Sequence, residues 1–198
     1  QNVQVFRAPR KRMDKIATNN QGVALEVSSY PYHGVIDILD RAQTRGEAPF
    51  VLLLDTLQDP QNFGTLLRTA ESVGVHGVII PLARTAEITA SVVNASSGAS
   101  EHLLIAQANL AQAISSLKEA GAWIIGLEGS DQAQSPEAIR LDGAIGIVVG
   151  SEGKGMRPLT RKSCDLLMKL PMQGEIESLN AAVAGSVALY LAYLARNK

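Results

Sequence analysis

The chain has 198 residues, 46% hydrophobic and 19% charged, enough for a full buried core, which excludes disordered and fibrous classes. Eighteen Lys and Arg against nineteen Asp and Glu give a formal net charge of -1, which excludes a histone-like polycation while leaving room for a local basic patch. The single cysteine, Cys164, forbids an internal disulfide or a multi-cysteine zinc site, so no metal is expected, and it points to a reducing cytoplasm.

The chain opens on Gln1 rather than Met, so it is expected to be part of a longer protein. Its first fifteen residues hold Arg7, Arg10, Lys11, Arg12 and Lys15 against one acid, Asp14. That balance fits either a solvated, frayed terminus or the end of a nucleic-acid-binding module. Residues 28–50, with Tyr30-Pro31-Tyr32 and a polar helix-like stretch over 36–45, read as a connector. From residue 51 the pattern becomes regular. VLLLD (51–55) is a continuous apolar run closed by an acid, as in a strand buried on both faces. Residues 63–73 have helical spacing, with Phe63, Leu66, Leu67 and Ala70 as the apolar stripe and Gly74 as a stop. Further strands are expected at 77–80, 103–106, 123–127, 145–149 and 166–170, and helices at 89–95, 110–120 and 180–196. The last helix is apolar nearly all round and therefore must be buried, in this subunit or against a second one. Its apolar stretch, 181–195, falls short of the ~20 residues of a membrane span and contains Gly185 and Ser186, so no membrane is expected. Strands alternating with helices predict an α/β fold, a doubly wound, mostly parallel sheet covered on both faces, with ligands at the carboxyl ends of the strands.

Three segments at those ends stand out. Asp59-Pro60-Gln61-Asn62-Phe63-Gly64 leads into the helix that carries Arg68. Asn62 suits a helix N-cap, which would account for it without chemistry, and a lone helical Arg such as Arg68 often lies on a solvated face. Gly150-Ser151-Glu152-Gly153-Lys154-Gly155 follows a strand directly; its glycines let the backbone approach a ligand closely. It matches neither a Walker A loop nor GxGxxG, which disfavours a conventional ATP or dinucleotide site. Residues 170–180 (LPMQGEIESLN) leave the last strand and reach the final helix through Ser178 and Asn180, both good caps. The three histidines are scattered, and Cys164 reads as core.

Together these segments resemble the three signature motifs of the SpoU-type (TrmH-like) RNA ribose 2'-O-methyltransferases of the SPOUT superfamily. DTLQDPQNFGTLLRTAESVGVHGVII, IVVGSEGKGMRPLTRKSCD and MKLPMQGEIESLNAAVAGSVALYLA fall in the family's order. The similarity spans about residues 51–196 and is greatest to the ribosomal-RNA guanosine branch; residues 3–27 are similar to the end of that branch's upstream RNA-binding domain. The resemblance divides the chain into a remnant of that domain (1–27), a connector (28–50) and a SPOUT methyltransferase domain (51–198). It implies a C-terminal trefoil knot, a homodimer packed through terminal helices, and S-adenosylmethionine as methyl donor, with no metal. Carried over by motif position, Asn62, Arg68, Glu152, Ser178 and Asn180 are the expected catalytic set. Gly129, Gly150, Leu170, Met172 and Leu179 are the expected cofactor contacts. Transfer to a ribose 2'-hydroxyl of structured RNA is the implied reaction, on a guanosine of large-subunit ribosomal RNA, with transfer RNA as the other substrate. A guanidinium is a poor base, with a pKa above ~12, so Arg68 is expected to grip a phosphate or stabilise the developing alkoxide, oriented by Glu152. A non-catalytic RNA-binding member of the fold, and an unrelated nucleotide-using enzyme, are the competing readings.

Overall fold

The structure, a computed structural model, describes residues 4–16, 20–83, 85–176 and 178–198. It divides into two units, Gln1–Pro31 and Tyr32–Lys198. In the first, helix α1 (Arg10–Ile16) buries none of its residues, and Asn20 donates to the Asp14 carboxylate at 3.0 Å. Residues 1–3 and 17–19 of the expected RNA-binding remnant lie outside the described residues.

The second unit begins with α2 (Val35–Arg45), the polar stretch expected within a connector. It docks because Ile38 and Ala42, four apart, fall on one face and are buried. Gly77 makes that possible: a Cβ there would stand 2.4 Å from the Ile38 side chain. The remaining strands and helices are β1 (Phe50–Leu54), α3 (Pro60–Ser72), β2 (Gly77–Pro81), α4 (Ala90–Ala95), β3 (Ile105–Ala108), α5 (Leu110–Glu119), β4 (Trp123–Leu127), β5 (Ile145–Val149), α6 (Pro158–Ser163), β6 (Leu166–Met168) and α7 (Ala181–Arg196). They alternate, except that β4 is followed by β5 without an α-helix between them.

Six strands form one sheet in the order β3-β2-β1-β5-β4-β6, and every pairing is parallel. The chain walks outward from β1 to β3 and then builds the other half, so the winding direction reverses between β1 and β5. Such a switch leaves a crevice at the carboxyl ends of the strands. β1, β2 and β5 are buried along their whole length, as their unbroken apolar runs require. On one face Val51, Leu53, Ile79 and Val148 join Ile38 of α2 and Ile114 and Leu117 of α5 in one cluster. On the other, α7 lies so close that a Cβ at Gly185 would stand 2.6 Å from Leu66 of α3 and 3.0 Å from Val149 of β5. A hydroxyl pair, Thr69 and Ser186 at 2.9 Å, joins α3 and α7.

Two expected strands shift. β3 starts at Ile105 rather than residue 103, because pairing with β2 begins at Val78; Leu103 is buried, but precedes the ladder. β6 ends at Met168 because Pro171 and the loop around it lead away from the sheet. Among the described residues no helix is long and apolar enough to cross a membrane.

At the amino ends of β1 and β2 lies a fully buried histidine. His76 Nδ1 accepts the Phe50 N–H at 3.0 Å, so the ring proton sits on Nε2 and is donated to Glu47 at 2.9 Å. Burial pushes the pKa of His76 below its ordinary 6.5, against the opposing pull of Glu47. With the folded value depressed, the contribution to stability is complete above the unfolded pKa and is lost as pH falls below about 6.5 towards the folded value. The midpoint of urea unfolding should therefore drop between pH 7 and pH 5, and drop less in His76→Gln. Parallel declines in the two proteins would assign the pH dependence to other groups.

Candidate active site

The site is built at the carboxyl ends of β1, β4, β5 and β6. Beyond β1 comes Asp55, fully buried, whose two oxygens accept from Arg157: Oδ2 from the backbone N–H at 2.7 Å and Oδ1 from Nε at 2.6 Å. Asp55 also donates its own N–H to Val149 at the end of β5. A buried carboxylate needs such full pairing, and here the pairing fixes the base of the glycine-rich turn to the end of β1.

That turn, residues 150–156, closes on itself. Ser151 and Gly155 exchange backbone hydrogen bonds of 3.0 and 2.9 Å, and Gly153 and Gly155 adopt positive φ. Gly150 lies directly beneath: a Cβ on it would meet the Gly155 carbonyl carbon at 2.3 Å, and backbone cannot give way.

Asp59, not Asn62, caps α3. Its carboxylate accepts from the N–H groups of Gln61 and Asn62 at 3.2 and 3.1 Å, with Pro60 at the first helical position. The cap expected at Asn62 is thus corrected by three residues, which frees the Asn62 amide. It donates to Glu152 Oε1 at 3.0 Å. Asn180 donates to the same oxygen and to Asn62 Oδ1 at 3.0 Å, while its own Oδ1 accepts from Ala182 and Val183 and caps α7. Residues from all three sequence motifs therefore meet in one hydrogen-bonded cluster.

Beside it is a cleft of about 810 Å³. Glu152, Ser178 and Asn180 line it, as do all five expected cofactor residues, Gly129, Gly150, Leu170, Met172 and Leu179. Ser178 lines the cleft without a bond to the cluster among the described residues; its neighbour Glu177 lies outside them. Arg68 is placed elsewhere. Six residues beyond Asn62 on α3, it is turned about 240° round the helix, and its Nη1 donates to Ser97 Oγ at 3.2 Å. Glu152, expected to orient Arg68, is engaged by the two asparagines instead. Ser97 itself holds a positive φ of 54°, unusual outside glycine.

Sequence reasoning missed Glu128. It stands at the end of β4 and lines the cleft, gripped by Arg161 through Nε–Oε2 at 2.6 Å and Nη2–Oε1 at 2.9 Å. This grip, first among the causes, holds the Glu128 carboxyl below the usual carboxylate range. An acid immediately after a buried strand was the available signal, since Asp55 occupies the same position after β1. Cys164 directly follows α6; burial pushes its thiol up to about 12, which makes it inert as a nucleophile.

Known proteins are similar to this chain in sequence and fold. Residues 49–190 match the model of the SpoU rRNA Methylase family. YacO of Bacillus subtilis (strain 168), whose name places it among TrmH family tRNA/rRNA methyltransferases, is 41% identical over 201 residues, covering 100% of this chain and 80% of that protein. The structure of the SpoU methyltransferase AviRb from Streptomyces viridochromogenes in complex with AdoMet is 26% identical with a TM-score of 0.71, covering 84% of this chain and 66% of that one. An AdoMet-bound rRNA methyltransferase from Sinorhizobium meliloti, at 23% identity and a TM-score of 0.77 over 93% of this chain and 69% of its own, shares the fold. The chain belongs to the SpoU (TrmH-like) family of RNA methyltransferases.

The capping assignment has a direct check. Asp59→Ala should cost about 1 kcal/mol in urea unfolding, within the ~0.5–2 kcal/mol range of lost N-caps. Asn62→Ala, which keeps the cap, should cost clearly less. The reverse order would return the cap to Asn62.

Proposed function

We propose that this chain transfers the methyl group of S-adenosylmethionine to a ribose 2'-hydroxyl of structured RNA, a guanosine of large-subunit ribosomal RNA. The observation that carries the reading is the meeting of Asn62, Glu152 and Asn180 beside a cleft lined largely by glycines and apolar side chains. The cleft's volume lies in the range of ~300–1,000 Å³ usual for small-molecule sites. The name of the AviRb complex, at 26% identity, supports the donor. The choice of ribosomal RNA rests on the similarity of residues 3–27 to the upstream RNA-binding domain of that branch, and residues 1–27 are read as its remnant. The lone reduced thiol fits the cytoplasm.

The bound donor supplies a sulfonium methyl, whose positive charge is lost as the methyl moves. Backbone and apolar groups at Gly129, Gly150, Leu170, Met172 and Leu179 suit a group that must not be held more tightly before reaction than during it. The Asn62–Glu152–Asn180 cluster fixes the wall beside which the ribose is placed, and orientation alone can supply ~7–11 kcal/mol of the barrier reduction. Ser178, at the rim of the cleft, orients the ribose.

Arg68 is the group for the acceptor hydroxyl or its neighbouring phosphate, and it acts across a dimer. Val183, Val187, Tyr190 and Leu194, spaced along one face of α7, remain exposed. α7 packs beside α3, so pairing two copies through this face carries Arg68 of one towards the cleft of the other. A contiguous apolar helix face of this kind is a normal homodimer surface.

Labelled methyl transfer to ribosomal and transfer RNA transcripts, with mapping of the methylated ribose, tests the function and the choice of RNA. Arg68→Lys should lower kcat by about 10²-fold, since an ammonium does not reproduce a bidentate guanidinium grip; near-full turnover would remove Arg68 from its role. Arg68→Ala and Asn180→Ala, each inactive alone, should regain activity when mixed and re-paired. Failure to complement would place Arg68 and Asn180 in service of the same subunit's cleft.

A further inference from the structure

We propose that Ser97 is a positioning residue for Arg68: its hydroxyl holds the guanidinium without neutralising it, so the cation meets the acceptor RNA oriented and fully charged. The proposal rests on the reading that Arg68 serves the acceptor hydroxyl or its neighbouring phosphate. It assigns the aiming of that group to a residue outside the three motifs.

Gly64 and Arg68, four residues apart, share one face of α3. Gly64 lets the end of α4 settle on that face: a Cβ there would stand 2.4 Å from Ala95 Cβ and 2.7 Å from the Ser96 nitrogen. The chain then turns tightly. Ser97 donates its N–H to the Asn94 carbonyl at 3.0 Å, and Gly98 donates to Val93 at 3.0 Å. The fully buried Ser96 donates its hydroxyl to Val93 as well, at 2.9 Å. These bonds hold Ser97 in the left-handed region, φ 54°, with Gly98 at 82° behind it. In that place Ser97 Oγ accepts from Arg68 Nη1 at 3.2 Å.

Two observations point beyond a mere tie between helices. The first is the residue type. Glycine would take this backbone without strain, and asparagine with little; serine carries the strain and adds only a hydroxyl. Strain of this kind gathers at functional sites, where the surrounding structure holds it in place. The second is charge. Arg140, Arg157 and Arg161 are each paired with a carboxylate, whereas Arg68 has no ion pair among the described residues and is held by a neutral oxygen. A carboxylate would grip it harder but would quench the charge that a phosphate or a developing alkoxide requires. The hydroxyl engages one of the five guanidinium donors and leaves the others for RNA. It also restrains a long, exposed side chain whose freedom is otherwise lost only on binding.

The test is labelled methyl transfer to ribosomal and transfer RNA transcripts by the 198-residue chain, with urea unfolding of every variant beside it. Ser97→Gly removes the hydroxyl and relieves the backbone, so kcat should fall about tenfold while the unfolding midpoint does not fall. Ser97→Asn returns a neutral acceptor on a residue that tolerates the left-handed region, and should restore kcat to within about threefold of wild type. Ser97→Asp has the same shape with a charge, and should stay about tenfold below Ser97→Asn. In an Arg68→Lys background Ser97→Gly should cost less than in wild type, because the fork it aims is gone.

Full activity in Ser97→Gly, or equal activity of the Asn and Asp variants, would overturn the proposal. So would a midpoint that falls in step with activity, or equal losses in both Arg68 backgrounds, since either makes Ser97 a part of the fold alone. Full turnover in Arg68→Lys would remove Arg68 from its role and Ser97 with it, while methyl transfer itself stands. Wild-type protein that methylates neither transcript would sink the proposed reaction, and this assignment with it.

Discussion

One carboxylate oxygen organises this molecule's candidate chemistry. Glu152 Oε1 accepts amide protons from Asn62, 90 residues earlier, and Asn180, 28 residues later. Neither asparagine could hold that geometry alone. Each is anchored from behind: Asn62 by the helix that Asp59 starts, Asn180 by the two N–H groups of α7 that it caps. Glu152 in turn sits on a turn whose base is tied to β1 by the buried Asp55–Arg157 pair. The cluster is thus a closed circuit of local structures. Charge-assisted hydrogen bonds to a carboxylate are stronger than neutral ones, which is why an acid occupies the shared position.

The division of labour follows from the sheet. Parallel strands buried on both faces leave no side chains free for chemistry along their length, so function is displaced to the loops at their carboxyl ends. The crevice between β1 and β5 opens because the chain reverses its direction of winding there. Close approaches at Gly77, Gly150 and Gly185 let helices and turns settle against the sheet without a gap.

Much of this could be read from residues alone. Continuous apolar runs gave all six strands, because burial on both faces leaves a direct compositional trace. Ladder boundaries did not follow: Leu103 is as apolar as its neighbours, but β3 begins only where β2 offers a partner. The helix cap was misassigned because Asp59 and Asn62 are both good capping residues, and only the backbone decides which one folds back. The five expected cofactor positions all line the cleft; four lie on loops within the motifs, and Gly129 follows β4. Arg68 did not reach the cluster in its own chain, because six residues carry an α-helix through about one and two-thirds turns, and a motif states spacing rather than direction. Glu128 escaped notice because it lies outside the three motifs and its partner, Arg161, stands 33 residues further along the chain.

The final helix has a second anchor at its other end. Arg196 donates to the carbonyls of Ala48 and Gly143, ahead of β1 and β5, and lies 5.1 Å over the ring of Phe50. The sixteen residues of α7 therefore behave as a strut about 24 Å long, pinned at one edge of the sheet by an arginine and delivering an asparagine to the other. Trimming the last few residues, or loading them with a bulky tag, would loosen the strut at its foot and be felt as slack where Asn180 meets Glu152.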